Sequence, residues 1–158
     1  MKAMKQRMKP DAPDAVAPDG SDVRVLVDCA GGSLAHFSLA SGEVSVAVAH
    51  RTVEEMWYFI GGSGEMWRKS ERTGEEILLD VAAGMSLSIP NHTHFQFRST
   101  GSEPLQAVGA TMPPWPGIGD MGGAGEVYFV GGKWTATVRS GMRAIIDLDL
   151  ENRSEQSI

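Results

Sequence analysis

From Val23 onward, apolar residues fall at every second position or in short runs, and glycine-bearing turns interrupt them at close intervals. The runs are "VRVLVD", "SLAHFSL", "EVSVAVAH", "EEMWYFI", "GEMWRK", "EEILLD", "MSLSIP", "HFQFRS" and "LQAVGAT", separated by turns such as "ASG", "GGSG", "RTG" and "AAG". Period-two alternation with β-branched and aromatic residues marks half-buried strands, and the turns fix their ends. None of these segments sustains a 3.6-residue period. Short strands in such number predict an all-β sandwich or closed barrel.

Beyond Thr111 the pattern changes. Three prolines in "MPPWPG" stop strand pairing, and "GIGDMGGAG" reads as a flexible loop. "EVYFV" and "RAIIDLDL" are expected to be further strands, and "ENRSEQSI" a tail. At the other end, "KPDAPDAVAPDGSD" offers almost nothing apolar to offset its ordering entropy. The expected layout is a disordered segment over residues 1–21 and a barrel over 22–117. A glycine-rich loop with additional strands over 118–150 and a tail over 151–158 would follow.

Composition narrows the function classes. The 158 residues are 42% apolar and 22% charged, which suits one soluble domain, and the 19 glycines agree with many turns. A net charge of −6 with no basic stripe in the body of the chain argues against a nucleic-acid partner. No apolar run reaches a membrane span. Cys29 is the single cysteine, so no internal disulfide forms, and a cytoplasmic setting is expected.

His50 and Glu55 stand five apart around the break "RTV". On a continuous strand they would face opposite ways, so both reach one interior only if the backbone turns between them. If Glu55 points inward, so do Trp57 and Phe59, while Met56, Tyr58 and Ile60 point out. A carboxylate on a face shared with Trp and Phe is costly unless paired or bound to a cation, which marks the place for chemistry. The outward row Met56, Tyr58, Ile60 is too apolar to leave wet, and a homodimer is expected from it.

The later stretch "GMSLSIPNHTHFQFRSTG" supplies a second set: Gly84, six residues ahead of Pro90, then His92, His94 and Gln96. With the first hairpin, these residues make the chain resemble a small single-domain cupin over about Val23 to Gly117. The two motifs of that family run roughly G-x5-H-x-H-x3-4-E-x6-G and G-x5-P-x-G-x2-H-x3-N. Glu55 falls on the motif glutamate, seven before Gly62. His50 falls on the second histidine, with Val48 where the first would stand. His94 falls one residue early, and His92 occupies a glycine position.

The resemblance implies a cupin double-stranded β-helix, or jelly-roll barrel, acting on a small molecule. It also implies a divalent metal (Fe, Mn, Ni or Zn) held by His50, Glu55 and His94, with His92 or Gln96 completing the shell. Dioxygenase, isomerase or lyase chemistry would then follow. The other reading is a metal-free barrel that only binds a small molecule. Trp57, Phe59, Trp67, Phe95 and Phe97 read as core, and with Gln96 the first three and Phe97 are expected to wall a substrate pocket. His36 reads as a strand-surface or core-edge histidine, and Trp115 as a lid over the barrel mouth or a structural strap. Arg68, Lys69 and Arg72 read as surface charges, with anion recognition the lesser alternative.

Overall fold

The computed structural model describes residues 3–115 and 126–137. Its strands are β1 (Ala15–Val16), β2 (Asp22–Cys29), β3 (Gly32–Leu39), β4 (Val48–His50), β5 (Glu54–Gly61) and β6 (Ser63–Ser70). There follow β7 (Glu76–Ala82), β8 (Ser86–Ile89), β9 (Thr93–Ser99), β10 (Leu105–Met112) and β11 (Val127–Phe129). They form a six-stranded sheet in the order β1-β2-β3-β10-β5-β8 and a five-stranded sheet in the order β11-β4-β9-β6-β7. From β3 onward the chain crosses to the other sheet at every step except β6 to β7, which pair with each other, as β1, β2 and β3 do in succession. Every pairing is antiparallel.

Alternation along each strand decides the core. On β5, Glu55, Trp57 and Phe59 are buried, while Met56, Tyr58 and Ile60 are 54%, 52% and 45% exposed. On β9, Phe95 and Phe97 enter the same core as Phe37, Val48, Trp57, Phe59 and Met66. Trp57 is the hub, stacked on Phe37 at 4.9 Å between ring centroids and edge-on to Phe97 at 5.1 Å. Gly109 makes room for that stack: a Cβ there would come within 2.7 Å of the Phe37 ring and 3.1 Å of the Trp57 indole.

The expected disorder over residues 1–21 does not hold for the described part of that segment. Arg7 forms a bidentate pair with Asp14 at 2.9 and 3.0 Å and also reaches the Val25 carbonyl. Arg24 holds the carbonyls of Pro10 and Asp11. "APDG" then closes a turn, Gly20 N–H donating to the Ala17 carbonyl at 2.9 Å with Gly20 at φ +93°. Hydrogen bonds to main-chain carbonyls and the burial of Ala17 supply what the low apolar content did not. His36 is 1% exposed and shares a 3.0 Å hydrogen bond with Gln106, so it is not a surface residue.

"EVYFV" supplies β11, as expected. The loop over 117–125, the strand "RAIIDLDL" and the tail over 151–158 lie outside the described residues. Among the described residues no helix is long and apolar enough to cross a membrane.

Candidate functional site at the barrel mouth

A cavity lies between the two sheets, bordered by the turn that follows β1 and by Val127 of β11. It has about 30 Å³ for the centres of water-sized atoms, room for about two waters. Its polar wall is Asp19, His50, Glu55 and Thr111; Phe37, Trp57, Phe95 and Trp115 supply the aromatic wall. Trp115, considered as a lid or a strap, lines the cavity and is tied down through its main-chain N–H to Ser33 Oγ at 2.9 Å and Thr111 Oγ1 at 3.1 Å.

His50 ends β4 and Glu55 is the second residue of β5, and the bend at 51–53 turns both inward. Their facing atoms, His50 Nε2 and Glu55 Oε2, lie 3.7 Å apart. On the other side of the imidazole, Nδ1 is 3.6 Å from Glu126 Oε1, too long for a hydrogen bond, and has no partner of its own. Glu126 is fixed by the Thr52 N–H at 3.0 Å, the Val53 N–H at 2.7 Å and the Thr52 hydroxyl at 2.7 Å. Asp19 arrives on the arm, its Oδ1 accepting from Ser21 N–H at 2.9 Å and Ser21 Oγ at 2.6 Å.

Burial controls the charge here. It pushes the Glu55 carboxyl up to about 8, with the nearby Asp19 charge adding to the effect. The Trp57 indole N–H leans toward Glu55 and eases its ionisation slightly, without closing a hydrogen bond. Burial also raises Asp19, against the pull of its two Ser21 hydrogen bonds. It lowers His50, with Glu126 acting in the opposite sense. Burial works to raise Glu126 as well, but the Thr52 and Val53 donors outweigh it and hold that carboxyl down. Near neutral pH the pocket therefore holds a protonated Glu55 beside a neutral imidazole.

Of the residues expected here, the structure brings together His50, Glu55 and Trp57. His94 and Gln96 leave β9 on its outer side, because Phe95 and Phe97 take the inner one. His94 Nε2 meets Glu71 Oε1 at 2.8 Å, and His92 Nδ1 lies 3.5 Å from Glu71 Oε2 and 3.2 Å from the Tyr128 hydroxyl. Gln96 is 1% exposed yet faces away from the cavity, clamping the main chain of residues 133–134 and the Ser45 carbonyl. Trp67 pairs with Gln96 across the strands and donates its indole N–H to Glu76 at 2.7 Å. Phe59 and Phe97 belong to the core behind the pocket rather than to its wall.

The donor set bears on the metal that the resemblance implies. A separation of 3.7 Å between His50 Nε2 and Glu55 Oε2 is one that two ligands of a single ion adopt at about 2.1 Å each. A third donor from β9 does not arrive. Phe95 occupies that place, its ring 6.2 Å from the His50 ring. Among the described residues no group of three His, Cys, Asp or Glu is arranged to hold an ion. The residues present do not fit the implied shell.

Sequence reasoning missed Asp19 and Glu126. The "APDG" turn signature was visible, and would have placed Asp19 in an ordered turn; nothing in the sequence linked Glu126 to His50.

The architecture is the cupin fold, a double-stranded β-helix. No protein-family model matches the sequence, and no curated protein does either. Solved structures do match. The capsular polysaccharide assembling protein CapF from Staphylococcus aureus is similar at TM-score 0.60 and 14% identity, over 81% of this chain and 32% of that one. An uncharacterized conserved protein with a double-stranded β-helix domain from Klebsiella pneumoniae gives 0.55 and 16%, over 71% of this chain and 85% of its own. Oxalate decarboxylase from Bacillus subtilis gives 0.54 and 18%, over 61% and 27%. The chain thus spans about a third of CapF and about a quarter of oxalate decarboxylase.

Proposed function

We propose that this protein is a small-molecule-binding barrel whose ligand enters the cavity bordered by β11 and the turn after β1 and sets its polar head against Glu55, His50 and Asp19. The observation that carries the reading is the composition of that cavity: buried ionisable groups at one end and aromatic rings around them. Protonated Glu55 donates a hydrogen bond, neutral His50 accepts one, and Phe37, Trp57 and Trp115 enclose the few remaining atoms that a cavity of this size admits. Among the described residues no Lys or Arg lines the cavity, so an anionic head would be buried in a low-dielectric site without a counter-ion and is disfavoured. The ligand class is therefore compact, neutral and hydrogen-bonding. Glu55 and His50 also form an acid and a base within one water-sized gap, so proton transfer on a bound carbonyl compound lies within the same reading.

Binding is tested by titrating the full chain with small neutral carbonyl and hydroxyl compounds while following Trp57 and Trp115 fluorescence. Saturable quenching that weakens as Glu55 loses its proton, and whose pH dependence vanishes in Glu55→Gln, supports the reading. Quenching whose pH dependence is the same in Glu55→Gln as in the parent, or an absence of saturable quenching, contradicts it.

A second reading, a divalent ion on His50 and Glu55 with ligand atoms completing its shell, is favoured by the 3.7 Å separation alone. Stoichiometric metal in untagged protein, lost in His50→Ala, would put it first.

A further inference from the structure

A second opening lies where two edge strands, β7 and β8, part. It has about 360 Å³ for water-sized centres, and none of its lining residues lines the mouth cavity. Arg68 leaves β6 on the inner side, passes between the sheets and gives one N–H to the Ser88 carbonyl at 2.7 Å. Its Nε is buried without a hydrogen-bond partner. Across the groove Arg72 donates to the side-chain and main-chain oxygens of Asn91 at 2.7 and 3.4 Å. Among the described residues neither guanidinium has a carboxylate within salt-bridge distance.

We propose that this groove binds a phosphate monoester, its phosphate between Arg68 and Arg72. A half-buried guanidinium left without a counter-ion is costly, and an arriving oxyanion removes that cost. Burial lowers the Arg68 pKa, with only the Glu75 charge acting against it, which is the signature of a cation short of partners. Hydroxyl donors stand beside the pair. Ser70 Oγ accepts from the N–H groups of Arg72 and Thr73, both at 3.2 Å, so its own proton is free to point into the groove. Thr73 Oγ1 accepts from the Glu75 N–H at 3.2 Å and is in the same position.

Donors approaching from several directions suit a tetrahedral oxyanion better than a planar carboxylate. Ile77 and Pro90 line the rest of the opening and leave an apolar surface for the organic part of the ester. Glu75 is the opposing charge in the groove, and Glu54 lies at its rim, 3.4 Å from the Asn91 N–H.

The test is calorimetric titration of the full chain with inorganic phosphate and with glycerol 3-phosphate at low ionic strength, with sodium acetate as the carboxylate probe. Saturable one-to-one binding of both phosphates is expected, with acetate weaker. Arg72→Gln, on an exposed side chain, should weaken phosphate about tenfold or more, the worth of a charge-assisted hydrogen bond. Glu75→Gln should tighten it several-fold by removing the opposing charge. The proposal is overturned by an absence of saturation at millimolar phosphate, by equal affinity in Arg72→Gln, by acetate binding as tightly as phosphate, or by Glu75→Gln weakening the complex. None of these outcomes bears on the mouth cavity, where Glu55→Gln is the informative variant.

Discussion

Replacing Glu55 by Gln should stabilise this protein at alkaline pH. The folded state holds the Glu55 proton to about 8 against an ordinary 4.5, chiefly because the side chain is 5% exposed among apolar neighbours. Between those values the folded chain binds one more proton here than the unfolded chain, so stability falls as pH rises. Stability from this group is complete below about pH 4.5 and is lost as the pH passes through about 8. At about 1.4 kcal/mol per pH unit the span is on the order of 5 kcal/mol, with roughly 3 kcal/mol already lost at neutrality.

Gln keeps the shape of the protonated acid and cannot ionise. Urea denaturation from pH 4.5 to 9 should therefore show little difference between variant and parent at the acid end. The gap should widen to several kcal/mol in favour of the variant at the alkaline end. Asp19 shifts in the same sense and stays in both proteins, so the difference reports Glu55 together with its repulsion from Asp19. Parallel curves, or a variant less stable throughout, would refute the reasoning by showing an ionised Glu55 held by a positive partner.

Gly109→Ala should cost about 1–3 kcal/mol, because its Cβ would press on the rings of Phe37 and Trp57, and thermal unfolding with near-ultraviolet dichroism will read both the loss and the disturbed stack. Glu126→Gln leaves one oxygen for three donors and removes the charge beside His50; a loss of about 1–3 kcal/mol is expected at pH 7, shrinking as the parent's Glu126 is itself protonated at low pH. The exposed row Met56, Tyr58, Ile60 should be covered by a second copy of the chain, so Tyr58→Glu should shift sedimentation from dimer to monomer; a parent that is already monomeric at all concentrations contradicts this.

The all-β class was legible in the alternation and the glycine turns, and the motif resemblance narrowed it to the cupin jelly roll. Glu55, Trp57 and Phe59 lie inside, and Met56, Tyr58 and Ile60 lie outside, as the pattern required. The site was legible only on that hairpin. His94 was assigned to the interior by its closeness to a motif position, although Phe95 and Phe97 already claimed the inner face of the same strand. Parity settles such conflicts, since a one-residue slip moves every side chain to the opposite face. Asp19 was hidden for another reason. A segment poor in apolar residues can still be ordered when guanidinium donors tie its carbonyls and carboxylates to the sheet, as Arg7 and Arg24 do here. Composition does not record those pairings.

The most direct measurement is the carbon-13 shift of the Glu55 side-chain carboxyl, assigned by its absence in Glu55→Gln and followed from pH 5 to 9. Everything claimed for the mouth rests on a carboxylic acid kept neutral beside an uncharged imidazole. The account predicts a protonated signal at pH 6.5 that titrates with a midpoint near 8. A carboxylate already ionised at pH 5.5, facing a protonated His50, would contradict it.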